Sequence, residues 1–362
     1  MDYLTEWREF LPRDKFLPHL QVLLKGYGQV LICPNQLTGF LLSVAIFVIS
    51  REVWFLTVLG VMASTATAIH LKVRPFHINS GVYGFNGVVL GVAWAWFFNL
   101  NFISLLLFIF AAALSSVMMK AMSDFNARTI ANLPVFSIPS LLLLLLLSSL
   151  SNHFFPSSSW RGPDERMIEY FRNFNASIIT LSNKQWTWET IKIFLQAFSN
   201  HMMAFFIIMI AVFYHSSLSF FVVSVATLIN IILIFFLGGV HEFGMLELYI
   251  YNSIPTVLAL GGIFIVINKH VCVLTFLGCL GAVLLTYLGI HYLPFPTFVI
   301  PFNAVTIFII WLVKSNRLKR KDGFYAVPME LVYSPEFGLE WYRGEVFADH
   351  YWRDLEKLIG QG

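Results

Sequence analysis

Apolar runs of about 15–20 residues follow one another along this chain with few polar interruptions. A membrane-spanning helix needs about 20 mostly apolar residues. On that measure the pattern predicts spans near 36–50, 53–71, 86–100, 102–121 and 133–151, then 202–217, 218–239, 253–268, 270–290 and 298–313. Between the two sets, Asn152 to about Lys184 is polar and contains SSSWRGPDER, which reads as a solvated connector with room for a short helix in ERMIEYFRNF. After Val313 the chain turns to KSNRLKRKDG and an acidic, Trp-bearing tail. The opening MDYLTEWREFLPRDKF is mixed in charge and lacks an apolar h-region, so insertion is expected to begin with the first spanning helix.

Each set holds about five spans, an odd number. Two halves that fold alike must then enter the membrane from opposite faces, as in inverted-repeat transporters. Internal similarity supports this. In Val82-Tyr-Gly-Phe-Asn-Gly-Val-Val-Leu-Gly91 and Leu248-Tyr-Ile-Tyr-Asn-Ser-Ile-Pro-Thr-Val257, a tyrosine and an aromatic precede Asn86 and Asn252 (252 − 86 = 166). Leu-Pro-Val-Phe-Ser-Ile-Pro (133–139) resembles Phe-Pro-Thr-Phe-Val-Ile-Pro (295–301), at an offset of 301 − 139 = 162.

Composition narrows the class. Hydrophobic residues make up 58% and charged residues 12%, about half the charge a water-facing domain carries. An integral membrane protein is the class that fits. A net charge of +3 leaves no nucleic-acid footprint. Lys314, Arg317, Lys319, Arg320 and Lys321 abut the last span, which predicts a multi-pass protein of the cell membrane with both termini cytoplasmic. On that topology Asn175-Ala-Ser is a glycosylation sequon on the outer connector. Cys33, Cys272 and Cys279 read as packing residues, the last two on one helix face, and no metal or other cofactor is expected.

The spans are nearly free of carboxylates and bases, which an ion path normally displays. The polar groups at depth are amides and hydroxyls: Gln29, Asn86, Ser137, Asn252 and Thr297. Such groups donate and accept hydrogen bonds without binding an ion tightly, which suits a small neutral polar solute. Phe85, Phe136, Phe194, Tyr251 and Phe298 flank them as candidates for a narrow apolar slot. Closely spaced glycines around Asn86 favour a half-helix that dips in and turns over simple close packing of Gly87 and Gly91.

At these residues the chain resembles the urea transporter family. Gln29 with Pro34-Asn-Gln-Leu-Thr-Gly39, Ser64-Thr-Ala-Thr-Ala68, Gly81-Val-Tyr-Gly-Phe-Asn-Gly-Val-Val-Leu-Gly91 and Leu133-Pro-Val-Phe-Ser-Ile-Pro139 follow the family's first-half motifs in order. Tyr249-Ile-Tyr-Asn252, Leu258-Ala-Leu-Gly-Gly262 and Ile300-Pro-Phe-Asn303 follow the second half more loosely, and the likeness covers roughly 20–315. The resemblance implies an all-α integral membrane protein: about ten transmembrane helices plus two half-membrane pore helices, arranged as two inverted repeats. It divides the chain into an N-terminal segment (1–27), a first repeat (28–151), the connector (152–187), a second repeat (188–315) and a tail (316–362). It also implies a homotrimer in the lipid bilayer in which each protomer passes urea passively, without enzymatic chemistry. Gln29 would be an acceptor at one mouth and Ser137 would stand for the usual threonine at the narrow middle. Phe85 and Val89 would be slot walls, as would their partners Tyr251 and Pro255.

This sequence departs from the family in its second half. The counterpart of Gln29 falls at or near Phe194, and that of Ser137 at Val299, with Thr297 two residues earlier. Asn200-His-Met-Met-Ala204 replaces the Asn-Pro element. One end of the path is therefore less polar, and slow passage or a preference for a substituted urea or short amide is expected. The rival readings are a channel for ammonia or another neutral solute, and a non-conducting scaffold. A zinc hydrolase fails because Met245 stands where His241-Glu242 would need a second histidine. The tail, with Trp341, Tyr342, Tyr351 and Trp352, reads as a polar extension first, with a small cap or an interfacial helix as alternatives.

Overall fold

The computed structural model describes residues 16–129, 133–154, 203–238, 246–293, 297–315, 324–327 and 334–344. Phe194, Asn200, Asn175 with nearly all of the connector, His241 and Glu242, the cluster Arg317 to Lys321, Tyr351 and Trp352 lie outside the described residues.

What is described is helical: α1 (Phe16–Gly28), a 3₁₀ turn (Gln29–Leu31), α2 (Gln36–Ile49), α3 (Arg51–His70), α4 (Pro75–Asn79), α5 (Gly84–Phe97), α6 (Phe102–Thr129) and α7 (Ile138–Phe154). There follow α8 (Met203–His215), α9 (Ser217–Gly238), α10 (Leu246–Leu258) running into a wide turn (Ala259–Ile263), α11 (Lys269–Tyr292), α12 (Ile300–Lys314) and α13 (335–344). Among the described residues, four helices are long and apolar enough to cross a membrane: Arg51–His70, Phe102–Arg128, Ser217–Ile234 and Lys269–Tyr292. His19–Leu31 and Gln36–Ile49 form a further apolar pair bent by 74°. The remaining apolar helices are shorter. At about 1.5 Å per residue, the 14 residues of α5 and the 13 of α10 reach about 21 Å and 20 Å, short of a ~30 Å hydrocarbon core. The reason is local: Gly81 turns the chain at φ 78° just before α5, and the run begun by α10 is broken at the non-helical Gly261 and Gly262, the latter at φ 126°. The even run of 15–20-residue spans read from the sequence is therefore an alternation of long helices and broken ones.

The helix starts show why these segments stop and restart where they do. Ser50 Oγ accepts from the Val53 N–H at the head of α3, and Ser216 Oγ accepts from the Ser219 N–H at the head of α9 (216 − 50 = 166). Asn101 Oδ1 accepts from Ser104 N–H at α6, and Asn268 Oδ1 accepts from Val271 N–H at α11 (268 − 101 = 167). Each satisfies an amide that the first helical turn leaves without a partner.

Among the described residues the most extensive helix contact is between α3 and α5. A Cβ placed on Gly87 would collide with the Gly60 carbonyl, and one on Gly91 would lie 2.8 Å from the Thr57 Cα. Gly87 and Gly91 thus serve close backbone approach, while the turn at Gly81 and the shortness of α5 accord with a bent segment. Serines bind here too: Ser64 Oγ of α3 reaches the Gly84 carbonyl of α5 at 3.4 Å, and Ser116 Oγ of α6 donates to the Ser64 carbonyl at 2.7 Å. The largest apolar cluster joins Leu31, Cys33 and Phe136 to Ile254, Phe264 and Phe302, and so crosses from early to late elements. Thr38 on α2 also reaches late elements, donating to the Ala211 carbonyl on α8 at 3.1 Å. Cys279 is buried, whereas Cys272, on the same stripe of α11 but near its start, is exposed. The two cysteines therefore do not share a buried face.

The tail is more than a polar extension. Ile265 pairs with Ala326 in an antiparallel bridge, with Val266 N–H to Tyr325 O and Val327 N–H to Phe264 O, both at 2.9 Å. Pro335 covers Gly262. Glu336 sets its carboxylate on the head of α9, accepting from Ser216 Oγ at 2.8 Å and Leu218 N–H at 3.1 Å, where the helix dipole also favours negative charge. Partial burial pushes this carboxyl up, but the Leu218 amide and the Ser216 and Ser334 hydroxyls outweigh it and hold it below its ordinary value. Because the folded-state value is depressed, the charged contact contributes fully above the free glutamate range of about 4.3 and fades as pH falls through the lowered value. Glu336→Ala is expected to raise amide exchange across 335–344 at pH 7. In the wild type the same loss of protection, taken relative to the intrinsic exchange rate at each pH, is expected only once pH falls below the free glutamate range of about 4.3. Equal protection in variant and wild type at pH 7 would show that the carboxylate does not hold the tail.

Candidate functional site

Two buried asparagines organise the centre of the molecule. Asn86 on α5 and Asn252 on α10 are each fully enclosed. Each donates through Nδ2 to the carbonyl of a phenylalanine in the left-handed region: Asn86 to Phe136 (φ 47°) at 3.4 Å and Asn252 to Phe298 (φ 37°) at 2.7 Å. A left-handed non-glycine residue costs about 1–2 kcal/mol, so both turns need outside support. The Oδ1 of each amide reaches the first turn of the helix that follows. Ser140 Oγ donates to Asn86 Oδ1 at 2.6 Å, and Phe302 N–H donates to Asn252 Oδ1 at 3.1 Å. Ser140 and Phe302 each stand directly after the proline of an Ile-Pro start, where the ring supplies no amide of its own.

Gln29 lies partly buried in the 3₁₀ turn, which touches both α5 and α10, and its Nε2 donates to the Ser80 carbonyl at 2.8 Å. Phe85 and Val89 are buried on α5, one turn apart, and Pro255 is buried within the last turn and a half of α10. Tyr251 is half-buried, with its ring 5.7 Å from that of Phe298. Phe136 turns its ring to Phe302 at 5.1 Å and Phe264 at 5.3 Å. Aromatic residues thus meet across the seam, although in pairs the sequence did not specify.

Ser137 follows the strained Phe136 and is 2% exposed. Its Oγ accepts from Asn303 Nδ2 at 2.9 Å, a contact between residues 166 apart that joins α12 to the turn before α7. Val299 is buried and offers its carbonyl to the same Nδ2 at 2.8 Å. Thr297 is buried too, but its side chain packs against Gly289 of α11. The polar residue next to Ser137 is therefore Asn303, the last residue of the Ile-Pro-Phe-Asn element, whose role the sequence pattern alone does not reveal. Its spacing of one helical turn from Val299 was the available signal. Beside this pair, a groove of about 540 Å³ lies between α7 and α12, lined by Ile138, Leu141, Ile300, Asn303, Ile307 and Trp311 among others. No charged side chain lines it among the described residues.

Comparison with known proteins agrees with this uncharged, helical construction. A family model described as "Urea transporter" matches residues 20–314. Urea transporter 1 of Mus musculus is 29% identical over 177 residues, which is 43% of this chain and 43% of the relative. Urea transporter 1 of Capra hircus is 27% identical over 172 residues (44% and 42%), and that of Ovis aries is 26% identical over 167 (43% and 40%). These alignments span less than half the length of the curated relatives. The family match extends over most of the chain and includes both asparagine-bearing helices, and on that ground the chain belongs to the urea transporter family.

Proposed function

We propose that this protein passes urea, or a closely related small neutral amide, passively across a lipid bilayer through a narrow path in each protomer. The observation that carries this reading is the uncharged seam where Ser137 and Asn303 meet, flanked by the two buried asparagines and by aromatic rings. Amides and hydroxyls there can exchange hydrogen bonds with an amide solute, and no ion would find compensation for its lost hydration. The path runs from Gln29 past Phe85, Asn86 and Val89 to Ser137, and on past Tyr251, Asn252, Pro255, Thr297 and Val299.

The architecture we infer is two inverted repeats, 28–151 and 188–315, with ten spans and two half-membrane helices, assembled as a homotrimer with cytoplasmic termini. Recurrence supports it. The Ser50/Ser216 and Asn101/Asn268 caps repeat at an offset of 166 or 167, and the Asn86/Asn252 brackets at 166 on the asparagine and 162 on the phenylalanine it holds. In this reading the protein is a transporter and not an enzyme.

Purified protein in liposomes, followed by stopped-flow light scattering, tests the proposal. Urea or formamide flux well above that of empty vesicles is expected, with thiourea, acetamide and ammonia completing the panel. Gln29→Leu is expected to lower urea flux several-fold by removing one amide at the mouth. Flux indistinguishable from empty vesicles for every solute would leave a scaffold; ammonia alone would make it a different channel.

A further inference from the structure

We propose that Asn303 is a solute-contacting residue that supplies the second half's hydrogen-bonding oxygen at the narrow middle of the path, the place where Val299 has none. The inference rests on the reading of this chain as a path for a neutral amide. Asn303 is 4% exposed, and its Nδ2 is spent on Ser137 Oγ and the Val299 carbonyl. Its Oδ1 is buried and has no partner. A buried amide oxygen without a partner is costly, and native structures contain few. An oxygen held dry and unpaired beside a groove is an acceptor kept for something that passes.

Comparison of the two halves sharpens the point. At an offset of 162, Ser137 corresponds to Val299 and Leu141 to Asn303. One half has its oxygen on the residue that opens the helix and a leucine one turn later; the other has valine first and the amide one turn later. Residues four apart share a helix face, so the polar atom has moved along the face without leaving it. Since Asn303 already donates to Ser137 Oγ, the serine hydroxyl proton remains available to a solute carbonyl. Asn303 Oδ1 then accepts from a solute N–H. An adjacent donor and acceptor match the edge of urea or a primary amide.

The test compares Asn303→Thr with Asn303→Val, side chains of one shape that differ in a hydroxyl. Urea flux is measured in liposomes and normalised to reconstituted protein. The threonine variant is expected to conduct about tenfold faster than the valine variant, the worth of one hydrogen bond made at the barrier. Val299→Thr combined with Asn303→Val returns the hydroxyl to the matching position and is expected to recover flux to near the threonine variant. If the valine variant does not reconstitute, Asn303→Leu, which copies the other half, takes its place in both comparisons. Equal flux in the threonine and valine variants, or a double variant no faster than the valine single, overturns the role of Asn303 while leaving the path intact. A wild type that passes no amide removes the path itself, and this role with it.

Discussion

Gly87→Ala is expected to lower the unfolding temperature of the detergent-solubilised protein by roughly 2–4 °C, and Gly87→Leu to prevent recovery of a monodisperse species. The new Cβ would meet the Gly60 carbonyl and the Ser64 Oγ. The first is backbone and cannot rotate away; the second already donates to the Gly60 carbonyl at 2.8 Å. Relief requires α3 and α5 to separate, which would also open the Gly91–Thr57 contact. Overpacking of this kind costs about 1–3 kcal/mol and more against rigid backbone, whereas the gain in helix propensity is only about 1 kcal/mol. Gly281→Ala on α11 is the control, because its Cβ would meet only Val305 at 3.6 Å, an ordinary contact. That variant is expected to match or slightly exceed wild type in stability. Equal behaviour of the two would show that the α3–α5 approach is not a limiting contact.

Much of the architecture was legible because membrane segments announce themselves by composition. The Arg51–His70 and Lys269–Tyr292 helices fall within three residues of the runs expected at 53–71 and 270–290. Asn86 and Asn252 were found because each follows a tyrosine and an aromatic in a recognisable order. What sequence reasoning missed lies in contacts between distant positions. Nothing in Ile-Pro-Phe-Asn reveals that Asn303 turns to Ser137, since neither segment's pattern contains the other. The Ser50 and Ser216 caps were readable as single residues, yet they become a matched pair only once the two halves are set in register. The tail was the hardest part: the grip of Glu336 on the head of α9 joins residues 120 apart, and a lone glutamate among other charges carries no mark of it. Glycine carried two messages at once. Gly81 turns the chain at φ 78° ahead of the short α5, whereas Gly87 and Gly91 let α5 lie close to α3, and only the position of Gly60 on α3 reveals the second role.

Asn252→Leu is expected to destabilise the protein more than Asn86→Leu, although the two residues hold matching places. Leucine at 252 keeps the volume and removes three bonds: Nδ2 to Phe298 O at 2.7 Å, Nδ2 to Leu248 O at 3.0 Å, and Phe302 N–H to Oδ1 at 3.1 Å. The Leu248 carbonyl is one helical turn back and keeps its place in the ladder, but the Phe302 amide is the orphan of a helix start behind Pro301. Left buried and unpaired, that amide costs about 1–3 kcal/mol. The left-handed Phe298 also loses the 2.7 Å bond that Asn252 makes to its carbonyl. At position 86 the losses are smaller. The Nδ2 to Phe136 contact is already long at 3.4 Å, and Ser140 Oγ still has the Asn86 backbone carbonyl at 2.9 Å. Thermal unfolding in detergent should therefore rank wild type above Asn86→Leu and Asn86→Leu above Asn252→Leu, with roughly 2–5 kcal/mol lost in the last. Because Asn252 braces the turn that carries Val299 and the helix that carries Asn303, urea flux should fall in the same order. The reverse order would mean that the short bonds of Asn252 only fill a place that leucine fills as well, and that the turn at Phe298 is held by its packing against Tyr251.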